Sequence, residues 1–574
     1  MLLTRVLVAA AAGVTVIASA SSGSSLQEPA PLRPDWEMSE GGPHAFARYR
    51  AFQQAYPADV ADTRLPELSA RAFRSFDRVR VMSGPRSRLA WTTLGPVTVY
   101  PSNNSRDRNI TGRVTAMAIA QQCSFLQCRL WVGTAGGGLW RTDRAMLTGK
   151  LNWRRVSDVL GTAAIGHIEV DVNDASSRTI YVGTGETNFT MTSAAGTGLF
   201  LSRDGGDTFK RVPTLVVDPA VSTNPIDFTA TRGISRVLIK RGRPDTIFVG
   251  TTTAMMGMTA VRGGQVSSTG TPQPRVGLYR TDDGGRSWSL IWVPPVGPEV
   301  PPNPHAGIGT LEVMSGVKDV QLDPADPETI YVTAFIAGLY RSSPRLEDGD
   351  ASFKPVFVPT GAGGFDDLVM FALTRVDDRT RIYAGNGVPS LSAQAIFRTD
   401  DADVPAAAMV QPDGGGALVN TSRWIRLTSN DIREPGFTSR GYCNQQCRYD
   451  QVIAVPPHQP DTVYAGGQVR PILGDSVIRS VDAGVSFKSF GYGGDDPVSE
   501  VHADVHAIVF HPDDPDIVFV GSDGGVTRND GQYVDLSSVC GPGGFGFAPG
   551  GNNHTFCTAS LSSVPARIHF LNEG

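Results

Sequence analysis

An all-β chain, folded as a seven-bladed β-propeller with four short strands per blade and a small helical extension at its N-terminus, is the fold class this sequence predicts. Three observations lead there. A strand of β-branched and aromatic residues running to a Gly recurs seven times along the chain. A hairpin pattern, Ser/Thr-x-Asp-x-Gly-x-Ser/Thr-Trp/Phe, recurs three times. The composition is rich in turn formers, with 64 Gly and 40 Pro in 574 residues. One such sheet cannot bury both of its faces. Stacking sheets around an axis buries them and hides most edges.

The chain opens with a targeting segment. Arg5 supplies a positive charge, 6–18 is small and apolar, and Ala18-Ser19-Ala20 forms an A-x-A cleavage site. The apolar run is shorter than the roughly 20 residues a membrane span needs. Residues 1–20 are therefore expected to be a signal peptide, with a secreted or periplasmic product and no membrane span after cleavage. Residues 21–39 are Ser/Pro-rich and are expected to form a disordered linker. Residues 40–88 carry apolar residues at helical spacing in "HAFARYRAFQQAYP" and "LPELSARAFRSFDRV", which predicts one or two helices.

The propeller is expected to fill 89–574. The repeated strand appears as "RLWVGTAGGGLWRTD" from Arg129, "TIYVGTGE" from Thr179, "TIFVGTTT" from Thr246 and "TIYVTAFIAGLYRS" from Thr329. It returns as "RIYAGNG" from Arg381, "TVYAGGQ" from Thr462 and "IVFVGSDGGV" from Ile517. Another strand precedes it, as in "GRVTAMAIA", "GISRVLIK", "GVKDVQLDP", "YDQVIAVPP" and "DVHAIVFHP". Turns such as "DPADPE" and "HPDDPD" join the two. A third and a fourth strand follow, as in "GLYRT" and "SWSLI". The last unit has no clear fourth strand near "TRNDGQYV". Either "LAWTTLGP" from Leu89 or "RIHFLNEG" from Arg567 is expected to supply it.

The hairpin pattern sits between third and fourth strands. It matches at Ser202, Asp204, Gly206, Thr208 and Phe209, at Thr281, Asp283, Gly285, Ser287 and Trp288, and at Ser480, Asp482, Gly484, Ser486 and Phe487. A short acidic side chain at a turn accepts backbone N–H bonds, Gly supplies a positive φ, and the aromatic anchors the hairpin between blades. A structural role is expected for it. These residues resemble the Asp-box, or bacterial neuraminidase repeat, superfamily, which includes sialidases, xyloglucan-active glycoside hydrolases, sortilin-type receptors and secreted bacterial propellers of unknown role. The likeness to the last group covers most of the chain from Trp91. Such proteins continue into further repeats, so the propeller is expected to be cut short at its C-terminus.

Six cysteines fall in three local groups, Cys123 with Cys128, Cys443 with Cys447 and Cys540 with Cys557, and are expected to staple loops. No CxxC pair is present, which speaks against zinc; no metal and no cofactor are expected. The net charge of −5 is spread without long runs, so a nucleic-acid partner is not expected.

The most suggestive cluster is "EVHADVHAIVF". Period-two alternation predicts His502, Asp504 and His506 on one face of a strand entering the ring, where they suit a divalent cation or acid–base work. The plainer reading is a hydrated polar collar at the channel mouth. Positions near that mouth are polar (Arg113, Thr115, Ser235, Lys318, Tyr449, Gln451), and deeper ones are expected to be apolar (Met117, Ile119, Val237, Ile239, Val320, Leu322, Ile453, Val455, Ile508, Phe510). Glu186 is a further polar candidate near the same face. Long segments between second and third strands, and between blades, mark that face as a binding surface.

Three function classes follow. The first is a secreted binding or scaffold propeller that takes a glycan or protein ligand on its loop-rich face. The second, implied by the resemblance, is a glycoside hydrolase using two carboxylates roughly 6.5–9.5 Å apart. Asp504 is its first candidate, with Asp319, Asp366 or Asp367 as the other, although Asp504 falls two residues from the family's position. The third is a sortilin-like peptide-binding ring. A sialidase is disfavoured: no arginine triad is evident, and Arg64-Leu65-Pro66 lies in the helical extension.

Overall fold

The computed structural model describes residues 111–571, apart from 149–150, 158, 189–192, 231, 255–260, 263–265, 268–273, 296–315, 343–352, 362–366, 469–472, 474, 492–500 and 543. The expected signal peptide, linker, helical extension and Leu89 strand lie outside those residues. Within them stand seven four-stranded antiparallel sheets, each built from one stretch of chain in the order inner, second, third, outer. The inner strands are Val114–Cys123, Ile165–Val170, Arg232–Lys240, Val317–Leu322, Leu368–Val376, Val452–Ala454 and Val505–Phe510. They define blades 1 to 7. The outer strand of blade 7 is Ile568–Phe570, paired with Gly525–Asn529. The Arg567 segment is thus the one that completes the last blade.

Why the sheets stack follows from the second strands. Each places one aromatic at the same level: Trp131, Tyr181, Phe248, Tyr331, Tyr383, Tyr464 and Phe519 are all buried. Two residues further on, six of the seven carry Gly. A Cβ on Gly133, Gly183 or Gly250 would stand 2.4–2.6 Å from Ile165, Ile234 or Val317, the branched residue near the start of the next inner strand. Gly385 meets Ile453 at 2.9 Å and Gly466 meets Val505 at 2.8 Å. Gly521 of blade 7 meets Val114 of blade 1 at 2.6 Å, so the same fit closes the ring. Blade 4 has buried Thr333 in place of the glycine.

A second tie runs along the third strands. Six of them carry Arg at one register: Arg141, Arg280, Arg341, Arg398, Arg479 and Arg528. Arg141, Arg341 and Arg398 each donate at 2.7 Å to a carbonyl in the next blade's outer hairpin, of Gly205, Ala402 and Ala483. Arg479 pairs with Asp516 at 3.2 Å, and Arg528 donates to the Met146 carbonyl at 3.2 Å across the seam between blades 7 and 1. Hydrogen bonds to a charged donor, buried among apolar groups, are the stronger kind.

The repeated hairpin turns share one geometry. In blade 3, Thr281 Oγ1 donates to Asp283 at 2.7 Å and accepts from Gly285 N at 3.0 Å. Asp283 accepts from Ser287 N at 2.9 Å and Ser287 Oγ at 2.6 Å. Blades 2 and 6 repeat these bonds through Ser202, Asp204 and Thr208, and through Ser480, Asp482 and Ser486. Gly285 has φ +91°, which a Cβ would oppose. Trp288 reaches back to blade 2, donating Nε1 to the Pro213 carbonyl at 2.8 Å.

Three local disulfides join Cys123 to Cys128, Cys443 to Cys447 and Cys540 to Cys557, with Cα separations of 4.3, 4.9 and 5.8 Å. The last holds the helix Asn552–Leu561 against Phe437 of the connection between blades 5 and 6.

The seam supplies a test. Gly521→Ala should cost about 1–3 kcal/mol, because the new methyl would stand 2.6 Å from Val114 Cγ1 and 3.2 Å from its Cβ, which no turn about χ1 can move. Val114→Ala in the same chain should recover part of that loss. Urea unfolding measures both, and an unchanged midpoint for Gly521→Ala would remove the tight seam from the account.

Candidate functional site

At the mouth where the inner strands begin, a charged network spans four blades. Arg113, just before the inner strand of blade 1, donates to Glu186 in the loop after blade 2's second strand. Its Nε lies 3.4 Å from Asp523 Oδ1 in the tight turn of blade 7. Asp523 also accepts from Tyr449 Oη at 2.7 Å, and His506 Nε2 stands 2.7 Å from its Oδ1. Tyr449 packs edge-on against His506 and lies under the Arg113 guanidinium. The network has a front and a back. Arg113 and Asp523 keep 19% and 17% of their side-chain surface exposed, whereas Glu186 and His506 keep 2% and 1%.

Electrostatics follow the contacts. Burial alone would raise the Asp523 carboxyl, but the His506 bond, the Arg113 charge and the Tyr449 hydroxyl pull it down to about 2. Burial works against the Arg113 charge too, yet Glu186, Tyr449 and Asp523 outweigh it and hold the guanidinium above its ordinary value. Lys318, at the same level on blade 4, donates to the Thr187 carbonyl at 3.1 Å and Asn188 Oδ1 at 3.0 Å. Burial lowers its ammonium to about 8, opposed by Glu186 and Asp319.

The structure separates the three residues that strand alternation put on one face. The inner strand of blade 7 begins only at Val505, and Asp504 has φ +63°, so the period-two pattern does not extend back to His502. His502 Nδ1 lies 2.8 Å from the Ala503 carbonyl, Asp504 accepts from Gln468 at 2.9 Å, and His506 faces Asp523. Gln451 bridges blades, accepting from Met370 N at 3.0 Å and donating to the Leu368 carbonyl at 3.3 Å. Thr115 and Ser235 likewise donate to the Ile165 and Val317 carbonyls of the next blade. Asp319 lies 3.3 Å from Arg236 and accepts from Gln321 at 2.9 Å. Asp367 is buried where blade 5 begins, and Asp366 lies outside the described residues.

The deeper channel meets the apolar expectation only in part: Met117 and Ile119 line it, beside charged and polar groups. Val237 and Val320 are fully buried in the blade cores. Their sequence neighbours Arg236 and Gln321 are only half-buried. Blade 2 adds His167 and Glu169. Most of the aligned apolar positions lie on the face that packs between blades, whereas Met117 and Ile119 also line the channel. Blade 2's inner strand, "IGHIEV", is a weak strand signal in the sequence because it has two polar residues in six. Burial holds His167 neutral, well below its ordinary value, with Arg236 acting in the same direction. Burial raises the Glu169 carboxyl to about 7 against the pull of Arg236 and an Ile239 N–H.

Among the described residues, one group of ligand atoms lies close enough for a metal ion: Cys123, Cys128 and His511. Both sulfurs are committed to a disulfide and have no thiolate to offer.

No protein-family model and no curated protein matches the chain. Among solved structures it is similar to a GH74 xyloglucanase from Xanthomonas campestris, at 17% identity over 73% of this chain and 52% of that one, with a TM-score of 0.44. A GH74 enzyme from Niastella koreensis is similar at 16% identity over 73% and 52%, with a TM-score of 0.42. YCF48 from Cyanidioschyzon merolae is similar at 15% identity over 64% and 95%, with a TM-score of 0.27. The chain spans about half the length of the first two. At this level the likenesses say nothing about a ligand or a reaction.

Asp523 gives a pH-dependent test. Its carboxylate is held more firmly in the fold than in the unfolded chain, so its contribution is complete above the ordinary carboxylate range and fades as pH falls through about 2. Asp523→Asn should lower stability by about 2 kcal/mol at neutral pH and by much less near pH 2. Denaturant titrations at several pH values measure the difference, and a loss independent of pH would contradict it.

Proposed function

We propose that this chain is a secreted binding propeller whose loop-rich mouth recognises a hydroxyl-rich ligand, in the first instance a glycan. The observation that supports this is the front pair of the network. Arg113 and Asp523 present a strong donor and a strong acceptor side by side, both partly exposed and both backed by buried partners. Neighbouring hydroxyls of a sugar ring ask for that combination. The three disulfides suit an oxidising compartment.

The hydrolase reading draws less support. An inverting glycosidase needs one carboxylic acid held protonated near neutral pH, facing a second carboxylate. At this mouth Asp523 is held ionised, Glu186 is paired with Arg113, and Asp504 is hydrogen-bonded to Gln468. A sortilin-like peptide-binding ring asks for an apolar wall, and the mouth network is polar.

The deciding experiment combines a glycan array with turnover assays on xyloglucan, β-glucan and sialyl substrates. Saturable oligosaccharide binding without product is expected. Arg113→Lys keeps the charge but loses the planar fork, and should weaken that binding about tenfold, or roughly 1.4 kcal/mol. Product formation abolished by Asp504→Asn would replace this reading with the hydrolase one.

A further inference from the structure

The opposite end of the channel holds a different site. An open cavity of about 480 Å³ lies where the inner strands of blades 1, 2 and 3 run out, rimmed by the tight turns of blades 6 and 7. Met117, Ile119, Val170, Val172, Pro457 and Pro512 supply an apolar wall beside its polar groups. Its polar groups are His167, Glu169 and Arg236 deep in the channel, and Arg241 and Gln121 nearer the turns.

Glu169 is the odd member. It is half-buried on the cavity wall, accepts a backbone bond from Ile239, and has no ion-pair partner among the described residues. The nearest cation, Arg236, is committed elsewhere: it lies 3.3 Å from Asp319 Oδ1 and 3.1 Å from His167 Nε2. The other acidic groups acting on Glu169, Asp171 and Asp319, add negative charge. His167 is neutral, and the walls from blades 1, 6 and 7 bring no charged group. An ionised carboxylate there is costly unless something brings a positive charge to it.

We propose that this cavity is a second ligand site, for an aliphatic ammonium such as a lysine side chain, with Glu169 as counter-ion and exposed Arg241 taking a carboxylate at the ligand's other end. The methylene stem would lie along the apolar wall. A purely anionic ligand would set a second negative charge beside Glu169. Binding of an ammonium must release the Glu169 proton, which burial retains up to about pH 7. Affinity therefore rises with pH across neutrality while the amine itself stays protonated.

Titration calorimetry with 6-aminohexanoate, n-hexylamine and hexanoate tests this without reference to the loop-rich mouth. Both amines should bind and hexanoate should not. Binding should tighten about tenfold from pH 6 to pH 8, as ionised Glu169 rises from about a tenth to about nine-tenths. Glu169→Gln should abolish it, and Arg241→Ala should bring 6-aminohexanoate down to the level of hexylamine. Glu169→Gln removes a buried charge, so it should be at least as stable as the parent at pH 8; if it does not fold, the pH profile of the parent still decides. Hexanoate binding, amine binding indifferent to pH or to Glu169→Gln, or no amine binding at all would overturn the assignment.

Discussion

Six glycines hold this ring together by what they lack. Each leaves a notch at the end of a second strand, and a branched side chain from the next blade fills it. Any Cβ there would force neighbouring sheets apart, and protein interiors have no slack to absorb that. The fit also sets the functional register. Arg113 precedes the notch-filling Val114, Lys318 follows Val317, and His506 follows Val505. The contact that fixes the blade spacing therefore carries those side chains to one level of the channel, where Arg113 and His506 meet on Asp523.

The two ends of the channel show the same chemistry under opposite conditions. Asp523 and Glu169 both sit in largely enclosed surroundings. Asp523 has three polar partners aimed at it and stays ionised in acid. Glu169 has one backbone donor and a cation already engaged with Asp319, and it holds its proton to neutrality. What separates them is the supply of donors, since desolvation pushes both the same way. One end is built around a settled charge, the other around an unsettled one.

Most of the fold was legible in the sequence, because a blade is a local object. Seven strand repeats, the three matching hairpins and the cysteine spacing each report on neighbours a few residues away. The site was less legible. His506, Arg113, Lys318 and Glu186 stand out in the sequence as polar residues near the mouth, but Asp523, on which Arg113, His506 and Tyr449 meet, reads there only as part of a repeat. Its signal was available: an acid soon after the glycine of a second strand, as Glu186 follows Gly183 in blade 2. The alternation assumed for His502 to His506 failed because a left-handed residue precedes the strand. The arginine register on the third strands was also visible, as "RT" and "RS" after paired apolar residues. Its purpose depends on the next blade's carbonyls, which no single repeat reveals.

The way the seam is made bears on how such a chain reaches its final form. Every blade among the described residues is one continuous stretch, and no strand is lent from one end to the other. Sheet pairing can then proceed from the N-terminus onward, each sheet complete soon after its last strand emerges. The long-range step is left to contacts outside the sheet ladders: Gly521 against Val114, Thr111 N to the Gly524 carbonyl at 3.0 Å, Arg528 to Met146, and Trp153 Nε1 to the Leu571 carbonyl at 2.6 Å. A ring of this kind has low contact order everywhere but at one joint. Until that joint shuts, the first and last blades each expose an apolar face, so the half-finished ring is the species most in need of shielding during folding.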